Sequence, residues 1–271
     1  MLRKLIKNEF VATAKTYLIL ILVCVAFGVF TALSSILFGS LTDNPALMML
    51  VTLPSLFLGS MLFPVAMAFP IFHSAWRFYK SMAADEGYLM HMLPVPTWML
   101  VFSKGIVGTV WVLLSSLFGM ASYVLSQATS TIVLAGHDFT VSDALGMIEA
   151  LENMLKKGLN IDPNIVFVIV NVALITLLSL ILSILSIYLC IAIGQLWTAH
   201  RILGSVLAYF ALNAVTNILV SVMLVLFVII AVESLTAFNI VLSLCTLLTA
   251  ACCVACYLVT VHLFKNKLNL Q

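Results

Sequence analysis

The stretch PNIVFVIVNVALITLLSLILSILSIYLCIAIGQLWTA, residues 163–199, contains no Asp, Glu, Lys, Arg or His. Read as a helix, it exceeds the roughly 20 residues that cross a bilayer core of about 30 Å. Outward from it the pattern recurs: 16–42, 44–72, 105–136, 202–232 and 234–261 are equally free of these residues. The interruptions are Lys15, Asp43, His73 to Lys104, His137 to Asp162, His200–Arg201, and Glu233. With 64% hydrophobic and 8% charged residues and a mean hydropathy of +1.24, the chain has too little polar surface to cover a water-soluble globule. The pattern predicts an all-α integral membrane protein, one domain over 1–271 with six transmembrane helices. The first apolar run, Tyr17 to Phe38, reads as a retained span because five more follow it.

The charges between the runs are sorted by sign. With both termini cytoplasmic, the inner side receives Arg3, Lys4, Lys7, Lys15, Arg77, Lys80, Lys104, Arg201, Lys265 and Lys267 against Glu9, Asp85 and Glu86. The outer side receives Asp43, Asp138, Asp143, Glu149, Glu152, Asp162 and Glu233, opposed by Lys156 and Lys157. The reverse orientation would violate the positive-inside tendency, so both termini are expected inside. The net formal charge of +2 conceals this asymmetry and implies no nucleic-acid role.

The connections carry further signals. Residues 1–16, MLRKLIKNEFVATAKT, can place Leu2, Leu5, Ile6 and Phe10 on one face, which predicts an amphipathic interfacial helix; the alternative is a basic leader that only sets orientation. GSLTDNP at 39–45 predicts a tight turn and an antiparallel hairpin. Pro54, Pro64 and Pro70 in the second span read either as bends that let the protein change shape or as proline tolerated by packing. The 73–104 interruption mixes both charge signs with Trp76, Phe78, Tyr79, Tyr88 and Trp98. It is either an amphipathic linker with interface anchors or a docking surface with apolar contacts and charges that set register. The external 137–162 loop contains ALGMIEALENMLKKG, in which Leu145, Ile148, Leu151 and Leu155 recur at helical spacing between Asp143 and Gly158, predicting a short amphipathic helix. Glu233 marks an external turn or part of a re-entrant element.

Catalytic constellations are missing from the sequence. It has no HExxH, GxSxG or phosphate-binding GxxxxGK[ST] pattern, and no span carries paired carboxylates. The five histidines have no second histidine at metal-ligand spacing, and Cys24, Cys190, Cys245, Cys252, Cys253 and Cys256 sit in apolar surroundings as packing residues. No enzyme activity, cofactor or metal is therefore expected in the chain itself. Asn171, Gln195, Asn213 and Asn217 can bond between helices, and Asn213 with Asn217 repeats at i, i+4 on one face that could pack or line a path. A titrating group inside the spans, the usual coupling device of a secondary transporter, is absent, which favours energy supplied by another subunit.

FYKSMAADEGYLMHMLPVPTWMLVFSKG at 78–105 and YLCIAIGQLWTAHRILGSVLAYFALNAV at 188–215, together with MLRKLIKNEF and the six-span plan, resemble the membrane permease subunits of type-2 ABC exporters. The resemblance is particularly to the single-domain permeases of Gram-positive bacteria, and DEGYLMHMLPVP is its most specific part. The resemblance implies a bacterial cell-membrane protein whose connection between spans two and three docks a separate ATP-binding subunit that holds ATP and Mg. It makes Asp85, Glu86, Gly87, Tyr88 and Leu89 the coupling residues, flanked by Arg77 and Lys80. It also implies a second permease copy or homologous permease as partner, with membrane lipids around both. Short re-entrant helices near Glu233 belong to the same expectation. The competing readings are a non-transporting membrane scaffold or sensor and, less favoured, a secondary transporter.

Overall fold

In hydrocarbon a peptide group finds no water to bond, so a lone spanning segment must close its hydrogen bonds within itself as a helix. The computed structural model, which describes residues 2–41, 45–82, 95–134, 146, 149, 153, 163–197, 201–231 and 235–266, places a long helix on every uncharged run. These are α1 (Leu2–Leu41), α2 (Pro45–Met82), α3 (Thr97–Leu134), α4 (Pro163–Gly194), α5 (Arg201–Ala231) and α6 (Leu235–Asn266). All six are long and apolar enough to cross a membrane. The protein is all-α and multi-spanning.

Some of the helices extend beyond the uncharged runs into the charged segments beside them. No break sets 1–16 apart, because α1 is one helix from Leu2 to Leu41. Physically, residues 2–27 contain neither glycine nor proline, so nothing local ends the helix at residue 16. Within the 73–104 interruption, 73–82 and 97–104 are helical as well, since α2 continues to Met82 and α3 starts at Thr97. α2 passes unbroken through Pro54, Pro64 and Pro70. In the 137–162 loop, Gly146, Glu149 and Asn153 are helical and exposed; the rest of that predicted amphipathic helix lies outside the described residues.

The chain divides into two compact units. One comprises 10–70 and 110–160, and so holds most of α1, α2 and α3. Its helices meet through small residues. A Cβ at Gly28 would collide with the side chain and backbone of Ser122, one at Gly59 with the Ser126 side chain, and one at Gly119 with Ala66. Ser35, Ser55 and Ser130 form a buried hydroxyl triangle with edges of 3.0, 3.0 and 3.3 Å, while Ser35 and Ser55 also reach the Thr31 and Thr52 carbonyls at 2.9 and 2.8 Å. Trp111 stacks on Phe10 and Tyr17, with centroids 4.7 and 5.0 Å apart, and its Nε1 donates to Thr13 at 3.0 Å. With no hydrophobic effect between helices in lipid, such close approach and interhelical bonding hold the spans together.

Glycine is thus required at one place and optional at another. Gly28→Ala should cost about 1–3 kcal/mol by overpacking against the Ser122 backbone. Gly105→Ala, with open space at its Cβ, should be neutral or raise helix stability by up to about 1 kcal/mol. Thermal unfolding in one detergent compares them, and equal midpoints for the two variants would refute the close-packing argument.

The other unit comprises 1–9, 71–109 and 161–271, including α4, α5 and α6. The Cys253 thiol reaches the Leu178 carbonyl at 3.5 Å, and Phe78 stacks on Tyr188 at 3.8 Å while meeting Phe264 edge-on at 5.6 Å. Position numbers in α4 and α6 rise together through these contacts, so the two helices run parallel and α5 returns between their ends. Its core is Phe78, Met82, Leu100, Val101, Ile184, Tyr188 and Phe264, all but fully buried.

Candidate functional site

Three charged side chains from separate helices converge in this second unit. Glu9 stands two turns into α1, Arg77 near the end of α2 and Lys104 two turns into α3. Arg77 donates from Nε and Nη2 to Glu9 Oε2 at 3.0 and 2.9 Å. Lys104 Nζ donates to the other carboxylate oxygen, Oε1. Side-chain exposure is 9% for Glu9, 5% for Lys104 and 34% for Arg77.

The arrangement follows from simple electrostatics. A buried ammonium such as Lys104 is tolerated only with a hydrogen-bonded counter-charge, and Glu9 is the only acid in α1. Arginine's planar fork suits the second oxygen of the same carboxylate. One anion thus holds two cations, and the triad carries a net formal charge of +1. Packing fixes its surroundings: the Tyr188 hydroxyl donates to the Lys104 carbonyl at 3.5 Å, Phe78 follows Arg77 into the aromatic core, and Tyr257 bonds the Trp98 carbonyl at 3.0 Å beside Phe102. The triad therefore binds the start of α1 to the two helix ends that flank residues 83–96.

Of the residues expected to couple to a partner, Arg77 lies in this triad with its guanidinium turned to Glu9, and Lys80 is exposed on the last turn of α2. Asp85, Glu86, Gly87, Tyr88 and Leu89 lie outside the described residues, as does Glu233. Asn213 is half-buried on α5 and donates to the Tyr209 carbonyl at 3.1 Å; Asn217 is exposed on the same helix. Sequence reasoning assigned Glu9 and Lys104 only to the inner charge tally. The available signal was that Glu9 is a solitary acid among basic residues on a helix that otherwise carries none. The hydroxyl triangle was also missed, since serine in an apolar run has no pattern of its own. Among the described residues no cluster of three or more His, Cys, Asp or Glu could hold a metal ion.

Compared with known proteins, the chain matches no family model, no curated protein and no solved structure.

Proposed function

We propose that this chain is the membrane-spanning permease subunit of an ATP-driven exporter, coupled through the 83–96 connection to a separate ATP-binding subunit and working as a pair of permeases. The Glu9–Arg77–Lys104 triad carries this reading, because it gathers the start of α1, the end of α2 and the start of α3 around the ends of that connection. A partner that displaces the connector would then act on three helices together. The sequence words DEGYLMHMLPVP at 85–96, similar to the docking segment of type-2 ABC exporter permeases, and the absence of a phosphate-binding loop favour an ATPase as that partner. In this scheme ATP-driven closure of two ATPases moves the docked connectors, and the bundles exchange between packing states with different access to a path. The scheme places both termini and the connector in the cytoplasm of a bacterial cell, and it assigns ATP and Mg to the partner.

Mild-detergent co-purification tests the proposal. A co-purified protein with Walker A and signature motifs is the expected result, and Glu86→Ala or Tyr88→Ala should reduce its recovery about tenfold or more while membrane insertion stays intact. A stable assembly free of ATPase would instead favour a scaffold or sensor. Unchanged ATPase recovery by both variants would remove Glu86 and Tyr88 from the docking contact.

A further inference from the structure

The triad is one anion short. Glu9 divides its two carboxylate oxygens between Lys104 and Arg77, and Arg77, at 34% side-chain exposure, is the member that reaches the surface. Arginine carries five N–H donors, of which Nε and one on Nη2 are spent on Glu9 at 3.0 and 2.9 Å. The two on Nη1 and the second on Nη2 make no hydrogen bond to a described residue. Glu9 thus fixes the plane of the guanidinium and leaves its opposite edge open, so little side-chain entropy is lost when an anion pairs with that edge. Two aromatic side chains place the edge in depth. Trp76 precedes Arg77, Phe72 lies one turn earlier on the same face as Trp76, and both are exposed. Tryptophan gathers at the level of lipid headgroups, and phenylalanine is favourable in hydrocarbon. At 1.5 Å per residue Phe72 lies about 7.5 Å deeper along α2 than Arg77. Glu9, Phe72, Trp76, Arg77 and Lys104 all belong to one compact unit.

We propose that Arg77 holds the phosphodiester of an anionic phospholipid whose acyl chains run down the Trp76–Phe72 face of α2. A planar guanidinium edge matches two oxygens of a phosphate. The phosphodiester also supplies the single negative charge that the triad lacks, which brings Glu9, Arg77, Lys104 and the headgroup together to neutrality. A phospholipid with an amine in its headgroup brings its own cation and leaves the triad's charge uncompensated. Free phosphate balances the charge but leaves the apolar face below Arg77 uncovered. The site needs no ATPase, so it stands apart from the transport scheme, and it assigns the outer edge of Arg77 to lipid rather than to a docked partner.

Native mass spectrometry of the full chain released from detergent counts bound lipid, with phosphatidylglycerol, phosphatidylcholine and inorganic phosphate as the probes. Preferential retention of phosphatidylglycerol over phosphatidylcholine is the expected result. Arg77→Met should weaken that retention about tenfold, the loss of charge-assisted hydrogen bonds, while Glu9 and Lys104 remain a balanced pair that keeps the fold. Arg77→Lys keeps the charge without the planar fork and should fall between the two. Lys265→Met removes the same charge from the last turn of α6 and should leave retention unchanged. Equal losses in Lys265→Met and Arg77→Met would mean that overall charge alone holds the lipid, which overturns the site. Phosphatidylcholine retained as well as phosphatidylglycerol would overturn the anionic headgroup, and displacement of phosphatidylglycerol by an equal concentration of inorganic phosphate would overturn lipid as the occupant. Undiminished lipid in Arg77→Met would overturn the proposal outright, and a simultaneous loss of co-purified ATPase would give the Arg77 edge to the docked subunit instead.

Discussion

Glu9→Gln should destabilise the protein by about 3–5 kcal/mol, the cost of leaving a buried ion without its partner. The side chain keeps its size and can still accept hydrogen bonds, so the loss is one of charge. Two cations, Lys104 at 5% exposure and Arg77 at 34%, would then lose the carboxylate charge that both bond. Lys104→Met should cost clearly less, because it leaves Glu9 and Arg77 as a balanced pair with both hydrogen bonds to Oε2 intact. Replacing all three together, Glu9→Leu with Arg77→Met and Lys104→Met, should recover most of the stability, since a packed apolar contact avoids the desolvation of three charges. Unfolding midpoints measured in one detergent rank the variants. If Glu9→Gln proved no worse than Lys104→Met, the carboxylate would not be the keystone described above.

Phe78→Ala comes next, at about 3–5 kcal/mol. Phe78 is all but fully buried, stacked on Tyr188 at 3.8 Å and edge-on to Phe264 at 5.6 Å, so its ring is the contact through which the end of α2 meets α4 and α6. Phe78→Leu retains much of the volume and loses the stacking, worth about 0.5–1.5 kcal/mol beyond burial. A large gap between the two substitutions is the expected outcome. Equal midpoints for alanine and leucine would mean that the pocket collapses freely and that volume at this position is unimportant. In the proposed transport scheme Phe78→Ala should also lower substrate flux per ATPase recovered, because the connector would then pull on a helix end that no longer grips its neighbours. Vesicle transport normalised to co-purified ATPase measures that ratio.

The six helices were legible because charge is a strong signal in a membrane: one lysine or aspartate at a run's edge costs more in hydrocarbon than many local preferences combined. Helix ends were less legible. Residues 2–16 and 73–82 are polar enough to leave the bilayer core yet contain nothing that stops a helix, so hydropathy and backbone preference give different boundaries there. The triad was legible residue by residue but not as a set. Glu9, Arg77 and Lys104 are far apart in sequence, and their meeting depends on how three helix ends pack, which hydropathy does not encode. Gly28, Gly59 and Gly119 illustrate the same limit, as each marks a close approach whose other side, Ser122, Ser126 or Ala66, lies on a different helix.

The parallel course of α4 and α6 has an electrostatic corollary. Each helix carries about half a positive charge at its start and half a negative charge at its end. Two parallel helices and one returning α5 do not cancel: the end shared by Pro163, Ala231 and Leu235 keeps an excess positive macrodipole, and the end shared by Gly194, Arg201 and Asn266 a negative one. Formal charges in the sequence oppose both. Asp162 precedes Pro163 and Glu233 precedes Leu235, while Arg201 opens α5 and Lys265 occupies the last turn of α6. The acids beside the starts of α4 and α6 and the bases at their far end therefore oppose the field that these three helices generate along their own axes.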